Sequence, residues 1–298
     1  MSTSPLVTVI CSCYNHSEYV LKSLDAVTNQ TYPNVELIVV DDCSTDNSIE
    51  IIENWTRNKP KVLFIKNSKN LGLTRSFNHA MKSASGKYFM DLAADDILLP
   101  NCIETLVKSF EKNLDLAMVY SNAETINEKD EVKETFFNKA QTAKIKTAIQ
   151  DNFYQNILAN SIYMCSVSAL YNRNIFDTLN GYDEGLYFED FDYWLRISRK
   201  HPVEFIDIIL VQKRFLENSM GNGFFVKSEH THKLHTSFYI ILKKAYSMNV
   251  KKSEYVALLQ RIYKQTRWAI KTINVKYLFL YFVLFTQTLC KLISVKKE

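Results

Sequence analysis

The sequence predicts an α/β fold: a Rossmann-like, mostly parallel sheet flanked by helices, with a C-terminal helical extension. Three observations predict it. Short apolar runs alternate with helix-patterned segments over the first 120 residues, the first two runs are apolar throughout, and residues 229–295 carry three successive helical patterns.

The alternation begins with a strand at Leu6–Cys13, a helix from about Glu18 to Asn29 and a strand at Glu36–Val40. A helix from near Asn47, a strand at Val62–Ile65, a helix at about Thr74–Ala84 and a strand at Tyr88–Leu92 follow. Strands spaced by helices of this length form a parallel sheet with right-handed crossovers. The runs VTVIC and ELIVV lack polar alternation, as strands do when helices cover both sheet faces. Ala117–Asn122 reads as a further strand, Glu124–Gln150 as a polar excursion loop or short hairpin, and Ile162–Tyr171 as a return to strand. Gly181–Gly185 reads as a turn before a helix opening at Glu189. Residues 229–248, 252–273 and 277–295 read as helices, which places a domain boundary between a catalytic region, 1–225, and a helical region, 226–298.

A chain of 298 residues with 47% hydrophobic content can bury a substantial core, and 6 glycines and 5 prolines exclude collagen-like or linker-rich sequence. A formal charge of +4 is too small to imply nucleic-acid binding, although from Lys243 onward the basic residues strongly outnumber the acidic ones. The six cysteines form no CxxC pair, and the N-terminal stretch has no basic n-region or cleavage site, so the expectation is a cytoplasmic protein with reduced thiols.

In open α/β sheets, ligands bind beyond the carboxyl ends of the strands. Here those ends read Tyr14-Asn15-His16-Ser17, Asp41-Asp42-Cys43-Ser44-Thr45-Asp46 and Ala93-Ala94-Asp95-Asp96, three polar loops on one edge. Asp95 and Asp96 supply hard oxygens suited to Mg²⁺ or Mn²⁺, and such an ion also grips donor phosphates; the same pair would serve as a cap for the helix after Pro100. Asp41 and Asp42 end the second strand, where a carboxylate can bind a base edge or ribose or close an Asx-turn. Glu189 and Asp190 open an aromatic helix, where a carboxylate can take a proton from an acceptor hydroxyl or cap the helix. His230, His232 and His235 are better read as a helix surface than as a metal site.

In order and spacing these motifs resemble the family 2 glycosyltransferases, of the glycosyltransferase A-type fold and bacterial surface-glycan type, over roughly residues 4–220. Pro5–Ile10 with Tyr14-Asn15 is similar to the family's opening strand and loop, and Gln30–Asp42 with Ser44-Thr45-Asp46 to its second motif. Asn70–Arg75 with Asn78 is similar to the segment that closes over the nucleotide, and Gly86-Lys87-Tyr88 to the lead-in to its metal strand. The resemblance implies an inverting glycosyltransferase with Asp190 as catalytic base. It implies Asp42 and Asp95 at the nucleotide with Ser12, Tyr14 and Arg75, metal at Asp95 and Asp96, and support from Asn15, Asp41 and Glu189. The family's Asp-x-Asp would begin at position 93, where this chain has Ala93. Arg214, Asn218 and Ser219 lie where relatives have a loop over the donor phosphates, with Glu217 beside them in place of a frequent histidine.

The implied partners are a nucleotide-sugar donor, UDP-sugar favoured with GDP and dTDP sugars open, and a glycan or lipid-linked acceptor in lipopolysaccharide or capsule synthesis. The run Tyr277–Phe285 is continuously apolar and aromatic but short for a membrane span, with Thr286, Gln287 and Thr288 following and Lys291, Lys296 and Lys297 beyond; residues 276–298 suit peripheral contact at the inner face of the cell membrane, packing on the protein or self-association. A sugar nucleotidyltransferase is a rival reading, but it would need a Gly-rich phosphate loop where Tyr14-Asn15-His16-Ser17 stands. A catalytically silent nucleotide-binding scaffold is the other, prompted by Ala93.

Overall fold

The computed structural model describes residues 4–160, 164–216 and 228–295. The chain runs β1 (Val7–Cys13), α1 (Val20–Thr28), β2 (Val35–Asp41), α2 (Ser48–Thr56), β3 (Leu63–Lys66), α3 (Leu73–Met81), β4 (Tyr88–Ala93), β5 (Ile97–Leu98) and α4 (Cys102–Lys112). It continues through β6 (Met118–Ile126), β7 (Val132–Thr135), α5 (Lys139–Ala159), β8 (Ala169–Asn172), α6 (Arg173–Thr178), α7 (Glu189–Ser198) and β9 (Val203–Arg214). Three helices close it: α8 (Glu229–Met248), α9 (Lys252–Lys271) and α10 (Val275–Ser294).

The strands form one sheet in the order β3-β2-β1-β4-β8-β6-β9-β5, with β7 beside β6. The pairs β1–β2, β2–β3, β1–β4 and β6–β9 are parallel, and β8 is antiparallel to both its neighbours, so most strands point one way. Every residue of β1 is buried, which accounts for its unbroken apolar run. On α1 the buried residues Val20, Ser23, Leu24 and Val27 recur at helical spacing and turn one stripe inward.

The segment 124–150 departs from expectation in part. It holds the expected hairpin, β6 with β7, but from Lys139 it is helical, and α5 kinks at Asn152, where φ is −166° and ψ is 96°. Before the kink only Thr142, Ile145 and Ala148 are buried, one residue per turn. So thin a stripe leaves little periodicity to read.

The chain forms two compact units, one of Met1–Ile149, Cys165–Glu184 and Lys200–Leu216, the other of Gln150–Met164, Gly185–Arg199 and Glu217–Glu298. It therefore crosses between units more often than the single boundary expected at 225/226. Two segments from the middle of the sequence pack with the C-terminal helices. Arg261 of α9 donates to the carbonyls of Ile157 and Leu158, Tyr154 Oη donates to Asn249 Oδ1 at 2.5 Å, and Lys244 of α8 meets Asp192 of α7 at 2.9 Å. All six cysteines are free, four of them buried.

His235 sits at the centre of the three C-terminal helices. Its Nδ1 meets Tyr281 Oη at 3.2 Å, its Nε2 meets Thr272 Oγ1 at 3.0 Å, and its ring lies 3.8 Å from that of Trp268. With both nitrogens spent on hydroxyls and no exposed surface, His235 is a core residue, neither a ligand nor the helix-surface residue the sequence suggests. Burial, helped by neighbouring His232, lowers its pKa from 6.5 to about 4. The unfolded chain therefore takes up a proton that the folded chain refuses. Stability is full above about pH 6.5 and falls as the pH drops toward 4, by up to ~3 kcal/mol. Urea unfolding at pH 7.5 and pH 5 should show this decline, and His235→Gln should flatten that part of the profile; an unchanged slope in the variant would remove His235 as its source.

Candidate active site

In the first unit the carboxyl ends of β1, β2, β3 and β4 lie side by side, because Ser12 pairs with both Val40 and Ala93 and Asp41 pairs with Lys66. The loops beyond them are fastened by hydrogen bonds that continue the sheet: Asp42 N donates to Cys13 O, Asn67 N to Asp41 O and Ala94 N to Ser12 O.

The loop after β1 is clamped onto the loop after β2. Asn15, at φ 58°, donates its N–H to Ser44 Oγ, and its side-chain carbonyl accepts from Thr45 N at 2.7 Å. His16 N donates to Ser48 Oγ and Ser17 N to Asp46 Oδ2. Asp41 is fully buried and accepts from Ser44 N and Ser44 Oγ, which makes it the turn-closing carboxylate of the pair. Asp42 accepts from Leu71 N and Gly72 N, each at 2.8 Å, and from Asn67 Nδ2 at 3.0 Å. It thus holds the 67–72 segment against the edge. Tyr14 projects from the same loop and is exposed.

The turn after β4 is held from two sides. Ser23 Oγ of α1 donates to Asp96 O at 2.6 Å, and Arg214 at the end of β9 donates its backbone N–H to Asp96 Oδ1 at 2.7 Å and its Nε to Asp95 O at 2.9 Å. The remaining guanidinium nitrogens donate to Asn127 O and to Asp130 Oδ1, and the group lies 4.4 Å from the Tyr19 ring. Arg214 is therefore a buried brace of the acidic turn and not a hand reaching for phosphate. Glu217, Asn218 and Ser219 lie outside the described residues.

Asp96 is buried, and burial together with the adjacent Asp95 carboxylate pushes its pKa up to about 7. Asp95 is the more accessible acid, and His16 Nδ1 stands 3.8 Å from its Oδ1. The acidic pair does not cap α4, whose N-cap is Asn101. Two buried polar atoms at this edge, Ser12 Oγ and His16 Nδ1, have no hydrogen-bond partner among the described residues. Such atoms ordinarily answer to a ligand or solvent. His16 is the residue that sequence reasoning passed over; its place in the loop after β1 was the available signal. A divalent ion fits this donor set in the manner usual for Mg²⁺, one or two carboxylates with the substrate's phosphates completing the shell. Among the described residues no cluster of three His, Cys, Asp or Glu side chains would hold an ion unaided.

Arg75, on the first turn of α3, lies 3.7 Å from Glu184, and Asn78 donates to Tyr182 O and accepts from Tyr182 N. The segment that the sequence assigns to nucleotide closure is thus tied to the turn at 180–184.

Glu189 and Asp190 belong to the second unit. They form the first turn of α7, where the N-cap is Phe188, so neither is the cap. Glu189 is buried and Asp190 half-buried. The approach to α7 is anchored by α8, since Ser237 Oγ accepts from Tyr187 N at 3.0 Å and from Phe188 N at 3.4 Å. Asp192, in the same first turn, is gripped by Arg196 Nε at 2.7 Å and by Lys244. The second unit also has a cleft of about 370 Å³, lined by Ser228, His232, Thr272 and Asn274 among others. Its one carboxylate, Glu229, is paired with Lys233.

A mostly parallel sheet, acidic at its carboxyl edge and covered by helices, is the architecture of the glycosyltransferase A-type fold. A family model described as Glycosyl transferase family 2 matches residues 8–179, and the chain belongs to that family of enzymes. An uncharacterized glycosyltransferase of Haemophilus influenzae is 32% identical over 67% of this chain and 62% of its own length. One from Methanocaldococcus jannaschii is 31% identical over 70% of this chain and 71% of its own. Escherichia coli chondroitin synthase is 27% identical over 69% of this chain, which is 28% of the synthase. The chain thus spans less than two thirds of the Haemophilus relative and under a third of the synthase. Two solved structures share the fold. Staphylococcus aureus TarS 1–349 in complex with UDP-GlcNAc has a TM-score of 0.60 at 16% identity over 95% of this chain and 89% of its own. Mannosyltransferase PcManGT of Pyrobaculum calidifontis, in complex with GDP-Man and Mn²⁺, has a TM-score of 0.60 at 16% identity over 99% and 86%.

Proposed function

We propose that this chain transfers a sugar, with inversion, from a nucleotide-diphosphate donor to a hydroxyl of a glycan or lipid-linked acceptor in cell-surface polysaccharide synthesis such as that of lipopolysaccharide or capsule. It does so in the cytoplasm, peripherally at the inner face of the membrane. The observation that carries the reading is the carboxyl edge of the sheet, where His16 Nδ1 stands 3.8 Å from the Asp95 carboxylate and the buried Ser12 Oγ of β1 has no hydrogen-bond partner among the described residues. UDP-sugar is the favoured donor, with GDP-sugar next. Those are the donor types bound by the TarS and PcManGT structures. The synthase relative supports a polymer or its precursor as acceptor.

In this reading Ser12, Tyr14, Asp42, Arg75 and Asp95 bind the nucleotide. Asn15 and Asp41 shape its loops and Glu189 supports the base. Asp95, with Asp96 behind it, would hold Mg²⁺ or Mn²⁺, which supplies positive charge to the leaving diphosphate when bound. Asp190 accepts the proton of the acceptor hydroxyl as its oxygen bonds to the anomeric carbon. The bond from that carbon to the diphosphate oxygen breaks, and one displacement inverts the configuration.

Calorimetry with UDP, GDP and dTDP sugars, with and without Mn²⁺, tests this. One donor should bind in a Mn²⁺-dependent manner to the wild type and at least ~10-fold more weakly to the Asp95→Ala, Asp96→Ala variant, since each interaction lost is worth about 1.5–3 kcal/mol. Failure of every donor to bind would overturn the donor site at this edge, and donor binding with no transfer to any acceptor would favour the silent nucleotide-binding scaffold.

A further inference from the structure

Helix α10 carries apolar side chains on two opposite faces. Tyr277, Tyr281, Leu284 and Thr288 are buried against α8 and α9, and Tyr277 Oη lies 2.5 Å from Thr236 Oγ1. On the other side Val275, Phe279, Phe282, Leu289 and Ile293 are exposed, Phe279 by 67% and Ile293 by 74%. Their spacing of 4, 3, 7 and 4 residues aligns them along one face of the helix. Ile270 and Ile273, at the turn from α9, are exposed as well. A run of large apolar side chains facing outward marks an interaction surface.

The charges around the stripe select its occupant. From Tyr255 to Lys297 the sequence has no Asp or Glu, while Lys264, Arg267, Lys271, Lys276 and Lys291 are spread along it. A second copy docked on this stripe would set lysine against lysine with no carboxylate to pair. An anionic lipid surface would accept the apolar face among its acyl chains and the lysines among its headgroups. Helix α10 is long and apolar enough to cross a membrane by length and composition. Crossing would, however, pull Tyr281 from His235 and Tyr277 from Thr236.

We infer that the Val275–Ile293 stripe of α10 lies in the plane of an anionic membrane, with Phe279, Phe282 and Ile293 inserted and Lys276 and Lys291 at the headgroups, while its tyrosine face stays packed on α8 and α9. This rests on the peripheral placement proposed above and assigns it to particular side chains. It also means that the helices that fasten the base-bearing α7 are themselves seated on the membrane.

The test is co-sedimentation of the full chain with vesicles of phosphatidylcholine alone and of phosphatidylcholine with phosphatidylglycerol. The wild type should bind the anionic vesicles at least ~10-fold better, and less well in high salt. A Phe279→Ser, Phe282→Ser, Ile293→Ser variant should lose at least ~10-fold of that binding with helix content and donor binding unchanged. Lys276→Glu with Lys291→Glu should lose the preference for anionic lipid. Equal binding by the serine variant would overturn the stripe and leave peripheral placement standing, whereas a wild type that binds neither vesicle would overturn both. Resistance of the bound protein to alkaline carbonate extraction would overturn the in-plane reading in favour of a span. A wild-type dimer that ignores vesicles and dissociates in the serine variant would assign the face to a second copy.

Discussion

Asp190→Asn is expected to lower kcat by about 10²–10⁴-fold, the usual contribution of a positioned general base, with donor affinity unchanged. The substitution keeps shape and removes the carboxylate proposed to accept the hydroxyl proton. The mounting of α7 makes this a clean experiment. Ser237 holds the two N–H groups before the helix, Arg196 and Lys244 hold Asp192, and the Arg261 guanidinium lies 4.9 Å from the Phe191 ring. None of these contacts depends on the charge of Asp190, whose Oδ1 accepts from Phe191 N at 2.6 Å, a bond the asparagine carbonyl can keep, and urea unfolding of the variant would separate a rate loss from a folding loss. Glu189→Gln, at a buried position, should cost more in stability than in rate. Single-turnover transfer with the donor identified by calorimetry would separate the two, and a wild-type rate in Asp190→Asn would exclude it as the base.

Apart from the two-residue β5, the strands and helices of the first 120 residues were legible because short apolar runs alternate with helix-patterned segments and the ends of β1 and β2 carry turn chemistry, as at Asn15 and Asp41-Asp42. The three C-terminal helices were legible to within a few residues for the same reason. Helix α5 was not, because its buried stripe is a single residue per turn before the kink at Asn152. Adjacent acids could not be told apart in sequence: Asp41 and Asp96 are buried and hydrogen-bonded within the protein, whereas Asp95 stays partly exposed. That division depends on partners 3 to 118 residues away, Ser44 for Asp41 and Arg214 for Asp96, and no local pattern carries it. Nor does any pattern show that residues 185–199 belong with helices that begin 30 residues later, since the links are single side chains such as Ser237 and Lys244.

Arg214→Met should destabilise the first unit by about 3–5 kcal/mol, the range for removing one partner from a buried charged network. The methionine would keep much of the packing over Tyr19 but none of the donors. Asp95 O and Asn127 O would lose their guanidinium bonds, and Asp130 would be left to Lys22 alone. Arg214→Lys should recover only part of the loss, because an ammonium cannot reach three acceptors in the fixed geometry of a guanidinium fork. The backbone bond from residue 214 to Asp96 would remain, so the damage falls on the support of the 95–96 turn and not on the Asp96 carboxylate. Urea unfolding would report the stability, and calorimetry would report a Mn²⁺-dependent donor affinity weakened even where the variant is still folded. A variant as stable as wild type that bound donor normally would mean that Ser23 and the sheet alone hold the acidic turn. A variant that was stable but lost only donor binding would return Arg214 to the phosphates.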